Sequence, residues 1–234
     1  MISIIRCVLF EVLRITLTVI FATIAPLTAP LSARGRYRII TTWSKLVTIT
    51  ARLIVGIRYE VDGLENLPKT PCVIMSKHQS AWETVAFQVF LPPQVWVLKK
   101  SLLWIPFFGW GLAMMNPIAI DRRNGPRALK KMLEQGKSRV RDGWYIVIFP
   151  EGTRVAPDET GDYQIGGAWL ARKLNVPIVP IAHNAGKVWP KNAFLKKPGM
   201  ISVVVGPPIP TTSKDPNQLI DEVKDWIEAT TKSL

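Results

Sequence analysis

From residue 57 onward, short apolar runs bounded by turn residues recur, and between them the apolar positions change to a helical spacing. Ile57-Arg58-Tyr59-Glu60-Val61 alternates apolar and polar side chains and stops at Asp62-Gly63, the pattern of a strand with one face in a core. Residues 72–76, 95–98, 117–120, 144–149, 178–182 and 201–205 are further strand candidates. Helical spacing is predicted over 82–90 and 167–174, and over 126–141, where Leu129, Met132, Leu133 and Val140 oppose a row of Lys and Arg. The last helix opens with Asp215 as N-cap, Pro216 at N1 and Gln218 at N3, and Leu219, Ile220, Val223 and Ile227 give it an apolar stripe. Strands alternating with helices predict an α/β fold, a mostly buried sheet covered on both faces. No internal repeat or low-complexity tract interrupts it.

The first 57 residues follow a different pattern. Residues 15–33 hold no charge, but at nineteen residues the run is marginal for a bilayer span of ~20, and Pro26, Pro30 and several threonines weaken it. Arg34, Arg36 and Arg38 form a basic cluster, which favours the cytoplasmic side. Residues 41–57 form a second helical candidate, apolar at Leu46, Ile49, Leu53 and Ile54. The pair is read as a membrane-associated helical hairpin over 1–57, dipping into or lying on the bilayer, ahead of one α/β domain over 58–234. The competing readings are a full span, a signal peptide cleaved near Ala29-Pro30-Leu31-Ser32-Ala33, and an ordinary buried helix pair.

Charge narrows the list of partners. The 234 residues carry a formal charge of +13, and residues 1–59 hold eight basic side chains against Glu11 alone. Such a surface attracts phosphates, anionic lipid or an acidic protein. Nine tryptophans and apolar runs beside the basic clusters fit an anionic membrane surface better than nucleic acid, for which no fingerprint is present. Cys7 and Cys72 form no metal spacing and no disulfide framework, so they read as buried thiols in a reducing compartment.

The candidate chemistry centres on Ser76-Lys77-His78-Gln79-Ser80-Ala81-Trp82-Glu83, between one strand and one helix. Residues five apart on a helix point roughly 140° from each other, so His78 and Glu83 can meet only if His78 lies in the turn ahead of the helix. A histidine whose tautomer is fixed by a carboxylate has the arrangement of a general base. Ser80-x-x-Glu83 is also a capping-box spacing, in which Glu83 serves backbone amides. Pro150-Glu151-Gly152-Thr153-Arg154 at a strand end combines a flexible turn, a hydroxyl and a guanidinium suited to a phosphate. Its alternative is a structural Glu151–Arg154 ion pair. Lys99 and Lys100 precede a very apolar run through Pro106 to Gly109, and Asp121-Arg122 follows. His183 is a competing base with no carboxylate at short spacing, and it reads as structural.

In this order, the motifs resemble those of the bacterial 1-acyl-sn-glycerol-3-phosphate acyltransferases, also called lysophosphatidic acid acyltransferases, over about residues 61–205. The family's His-x4-Asp falls on His78 to Glu83, its lysine–apolar–Pro-x-x-Gly stretch ending in arginine on Lys99 to Arg122, its Glu-Gly-Thr-Arg on Glu151, Gly152, Thr153 and Arg154, and its Val-Pro-Ile-Val-Pro strand on residues 176–180. The departure is Glu83 in place of aspartate. The resemblance implies acyl transfer from a thioester to the sn-2 hydroxyl of lysophosphatidic acid, giving phosphatidic acid. His78 would be the base and Glu83 its orienting carboxylate. Lys99 or Lys100, Arg122 and the Glu151–Arg154 turn would form the phosphate site. No metal or organic cofactor is implied; acyl-CoA or acyl carrier protein is a substrate, drawn from the cytosol, and the expected location is the cytoplasmic face of the bacterial inner membrane. A different lyso-lipid acceptor and a non-catalytic phospholipid binder are the alternatives.

Overall fold

The seven apolar runs become seven strands of one sheet in the computed structural model, which describes residues 2–121 and 125–234. They are β1 (Ile57–Asp62), β2 (Val73–Ser76), β3 (Gln94–Lys99), β4 (Ile118–Ile120), β5 (Tyr145–Ile148), β6 (Ile178–His183) and β7 (Gly199–Val205), in the spatial order β1-β7-β6-β2-β5-β3-β4. Every neighbouring pair is parallel except β6 with β7. The central strands β2, β5 and β6 are buried along their whole length, which is why they read as unbroken apolar runs rather than as alternation. Along β2 the side chains still divide between the two faces. Ile74 enters the core shared with α3 (Trp82–Phe90), while Val73 and Met75 enter the core shared with α5 (Gly125–Arg141), α6 (Gly166–Leu174) and α8 (Pro216–Ser233). Asp215 caps α8 through Asn217 and Gln218 in a full capping box, as its spacing predicts.

The N-terminal hairpin is helical, with shifted bounds. Its first helix, α1, spans Ile2–Leu27, so it starts well before the uncharged run. The second, α2, spans Ala33–Thr50 and begins eight residues earlier than its apolar pattern predicts, because Ser32 caps it by accepting from the Gly35 amide. Residues 51–55 continue it as one wide helical turn up to Gly56. Part of the basic cluster is consumed structurally. Arg34 stacks over Trp144 at 4.6 Å and donates to the Gly143 carbonyl, and Arg36 donates to the Leu31 carbonyl.

Helix α1 is one-sided. Cys7, Phe10, Ala22 and Ala25 are buried, and Phe10 meets Trp189 edge-on at 5.2 Å. On its other side Ile5, Val12, Ile15, Val19 and Leu27 are exposed. It packs on α2 and on α4 (Phe108–Met114), which follows a tight turn over residues 100–107. That turn requires glycine at 109, since a Cβ there would stand 2.3 Å from the Leu103 carbonyl oxygen. Trp104, Ile105, Phe107 and Trp110 from this region add to the exposed apolar surface.

Candidate functional site

Strands β2, β5 and β3 lie side by side and parallel, so their C-terminal ends open on the same edge of the sheet. The turn after β2 carries His78, the turn after β5 carries Arg154, and Lys99 closes β3. With neighbouring strands ~4.8 Å apart, the three segments begin within about 10 Å of one another. Such an edge is where open α/β sheets take ligands. A cleft of about 420 Å³ opens there, and His78, Lys99, Gly152 and Arg154 all line it. Its apolar wall comes from the hairpin and from α4, through Phe21, Ala22, Trp43, Gly111 and Leu112, with Phe149 beside the histidine. Thr84 and Gln88 on α3 also line it.

His78 sits in the turn ahead of α3, the one arrangement in which Glu83 can reach it. Its Nδ1–H donates to Glu83 Oε1 at 2.9 Å, which leaves Nε2 with its lone pair. The same carboxylate oxygen accepts from the Gln79 and Ser80 amides at 2.9 and 2.7 Å. Glu83 therefore does both things its spacing permits, orienting the ring and serving the backbone amides ahead of its helix. The helix starts one residue later than a Ser80 cap would have it, at Trp82 after Ala81, with Ser80 Oγ accepting from the Trp82 amide. Glu83 is fully buried; burial opposes its charge, but His183, His78 and the Ser80 amide outweigh it and hold the carboxyl below its ordinary range. The His78 ring stacks on Phe149 at 3.9 Å with 10° between the planes, which fixes its remaining freedom.

Glu151 corrects the sequence reading. It lines no part of the cleft, and it does not pair with Arg154. Its carboxylate faces inward, with Oε1 2.9 Å from Lys77 Nζ and Oε2 accepting from the His78 amide at 2.7 Å. A buried carboxylate facing an ammonium cannot serve a phosphate; it fixes the turn that presents Arg154. Burial pushes the Glu151 carboxyl up, opposed by Lys77. Thr153 is exposed and outside the cleft lining, and so is Lys100, so Lys99 is the lysine that faces the cleft. Among the described residues Arg154 has no side-chain hydrogen bond or ion pair, and its guanidinium is available to a ligand. Arg122 lies outside the described residues, one position beyond Asp121 at the end of β4.

His183 is structural. It is fully buried, its Nε2 donates to the Lys77 carbonyl at 2.9 Å, and its Nδ1 accepts from the Ala185 amide. Both nitrogens are occupied in the neutral ring, and burial pushes its pKa down. The sequence assigned no role to Lys77 or Glu228. Lys77 is 1% exposed and bridges Glu151 and Glu228, the latter at 2.7 Å. A lysine beside a histidine reads as a solvated charge, and Glu228 sits at the edge of an amphipathic stripe, so neither gave a signal. Removing Lys77, which would leave the buried Glu151 carboxylate uncompensated, costs about 3–5 kcal/mol.

The acyltransferase family model matches residues 58–184. The chain is 43% identical over 231 residues to the 1-acyl-sn-glycerol-3-phosphate acyltransferase of Pseudomonas aeruginosa, an alignment covering 97% of this chain and 90% of that one. It is 30% identical over 182 residues to the human 1-acyl-sn-glycerol-3-phosphate acyltransferase alpha, covering 75% of this chain and 63% of the human one. Among solved structures, the 1-acyl-sn-glycerophosphate acyltransferase of Thermotoga maritima superposes with a TM-score of 0.81 at 19% identity, covering 99% and 97% of the two chains, a likeness of fold.

Proposed function

We propose a mechanism from one premise: the chain belongs to the 1-acyl-sn-glycerol-3-phosphate acyltransferase family. The reaction is acylation of lysophosphatidic acid, and the proposed acyl donor is a fatty acyl thioester of coenzyme A or of acyl carrier protein. His78 Nε2 takes the proton of the sn-2 hydroxyl as that oxygen attacks the thioester carbonyl; the C–S bond of the tetrahedral intermediate then breaks, and the imidazolium returns the proton to the departing carrier sulfur. Glu83 steadies the imidazolium that forms. No covalent acyl-enzyme is needed, because the acceptor oxygen is itself the nucleophile. Arg154 and Lys99 hold the acceptor phosphate and so place the hydroxyl beside the base. The observation that carries the reading is the His78–Glu83 pair opening into the same cleft as Arg154 and Lys99. No cofactor enters the mechanism.

The hairpin gives the site its lipid side. Helix α1 is roughly 39 Å long at 1.5 Å per residue, enough to cross a bilayer by length alone. Yet one of its faces is packed against the domain, Arg14 grips Glu11 within it, and Glu11 also pairs with Lys196. A helix so attached lies along the membrane with its exposed apolar face in one leaflet, on the cytoplasmic side where the donor is made. Acceptor and product then reach the cleft without crossing water.

The direct test is transfer from labelled acyl-CoA, and separately from acyl carrier protein, to lysophosphatidic acid in mixed micelles. Phosphatidic acid from either donor supports the reading and identifies the donor; no product from either, with a folded protein, refutes it. Glu83→Asp is expected to lower kcat on the order of tenfold to a hundredfold, although aspartate is the commoner family residue. The shorter side chain pulls back from Nδ1, and small misplacements of a catalytic group cost rates of that order. Unchanged kcat would remove the orienting role. Gly111→Leu is a probe of the apolar wall. A Cβ at Gly111 meets only Ala22 Cα, at 4.0 Å, so the backbone has room for a side chain where Gly111 lines the cleft. Long-chain donors should then lose kcat/KM relative to short ones, by about 0.8 kcal/mol for each methylene kept out, and an unchanged chain-length profile would place the acyl chain elsewhere.

A further inference from the structure

Beyond the cleft, a densely bonded charged cluster lies behind the base. The Lys77 ammonium meets groups from three segments: Glu151 Oε1 at 2.9 Å, the Glu159 carbonyl at 2.9 Å, and Glu228 Oε1 of α8 at 2.7 Å. Glu228 also accepts from the Tyr163 hydroxyl at 2.7 Å and from Thr160 Oγ1 at 3.0 Å. Glu151 in turn holds the His78 amide, and the His78 carbonyl accepts from the Val155 amide at 2.8 Å. The base is thus fastened through its backbone on both sides to the turn that carries Arg154. That turn is itself held by Lys77, and Lys77 by α8. None of Lys77, Glu151 or Glu228 lines the cleft, so none can touch substrate there.

We propose that Lys77 and Glu228 are positioning residues, through which the C-terminal helix holds the base and the phosphate-binding turn in one register. The inference rests on the acyl-transfer reading above. One ammonium between two carboxylates makes the geometry specific, because Lys77 must reach the buried Glu151 and the partly buried Glu228 at once. Removing Glu228 leaves Lys77 with Glu151 as a neutral pair, and α8 keeps its apolar stripe of Leu219, Ile220, Val223 and Ile227. Glu228→Ala therefore cuts the tether while leaving a foldable protein, which Lys77→Met does not.

The experiment uses the full chain in mixed micelles, comparing wild type with Glu228→Ala, Glu228→Gln and Val223→Ala. Val223→Ala loosens α8 in the core without touching the cluster. Each is assayed for kcat, for KM toward lysophosphatidic acid, for Tm, and for the rate at which diethyl pyrocarbonate modifies histidine. The chain has two histidines, and His183 is fully buried, so that rate reports His78. Glu228→Ala should lower kcat about 10- to 100-fold and raise KM, because base and phosphate turn both lose register, and it should alter the modification rate. Glu228→Gln should recover part of both, since its amide oxygen still accepts from Lys77 and Tyr163. Wild-type kcat, KM and modification rate in Glu228→Ala would overturn the proposal. So would a Val223→Ala variant of equal Tm loss that shows the same fall in kcat, since α8 would then act only through stability. If the wild type transfers no acyl group, the functional reading fails, and the modification rate alone still decides whether α8 controls His78.

Discussion

Replacing His78 with alanine is expected to lower kcat by about 10²- to 10⁴-fold, the contribution of a positioned general base. The protein should stay folded. The ring is partly exposed, and its loss leaves both backbone bonds of residue 78 in place, with the amide on Glu151 and the carbonyl on Val155. The variant does leave Glu83 buried with only the Gln79 and Ser80 amides on Oε1, so a modest fall in Tm is expected beside the loss of rate. KM for lysophosphatidic acid should change little, since Arg154 and Lys99 are untouched. Measuring kcat, KM and Tm on one preparation separates these effects. Activity within a few fold of wild type would mean that another group takes the proton, and His183 is not a candidate, because both its nitrogens are engaged.

Arg154→Ala carries the second large effect, of a different kind. A guanidinium gripping a phosphate makes charge-assisted hydrogen bonds worth about 1.5–3 kcal/mol each. Losing a two-pronged grip should therefore reduce kcat/KM for lysophosphatidic acid by roughly 10²-fold or more. Most of this should appear as raised KM, because the phosphate does not change during the reaction and is bound alike in ground and transition states. Arg154→Lys should restore only part, as it returns the charge without the planar fork. Stability should be nearly unaffected, since the guanidinium has no partner among the described residues. If KM for lysophosphatidic acid is unchanged while KM for the acyl donor rises, Arg154 belongs to the donor's site instead.

Most elements were legible in the sequence because they depend on local regularities. Each strand lies within a residue or two of its apolar run, and α8 starts where Asp215, Pro216 and Gln218 place it. Two short helices were not. Residues 108–114 and 185–188 are too short to show a period, and a tight turn or a neighbouring strand holds them. The start of α2 was missed because Gly35 and three arginines hide a helix that Ser32 caps.

The chain by itself determined which candidate side chains meet at short range. His78 and Glu83 are five residues apart across a turn, and that spacing permits contact only in the geometry observed. Only the tertiary structure decided what is far apart in sequence. Lys99 and Arg154 join His78 because β5 is inserted between β2 and β3, so that three parallel strand ends share one edge. It also decided the fate of charge. Glu151 and Arg154 belong to one turn, yet the carboxylate is turned inward to a buried lysine and the guanidinium outward to the cleft. Nothing local separates those two outcomes, since whether a charge is solvated, paired or offered to a ligand depends on which distant segment packs beside it.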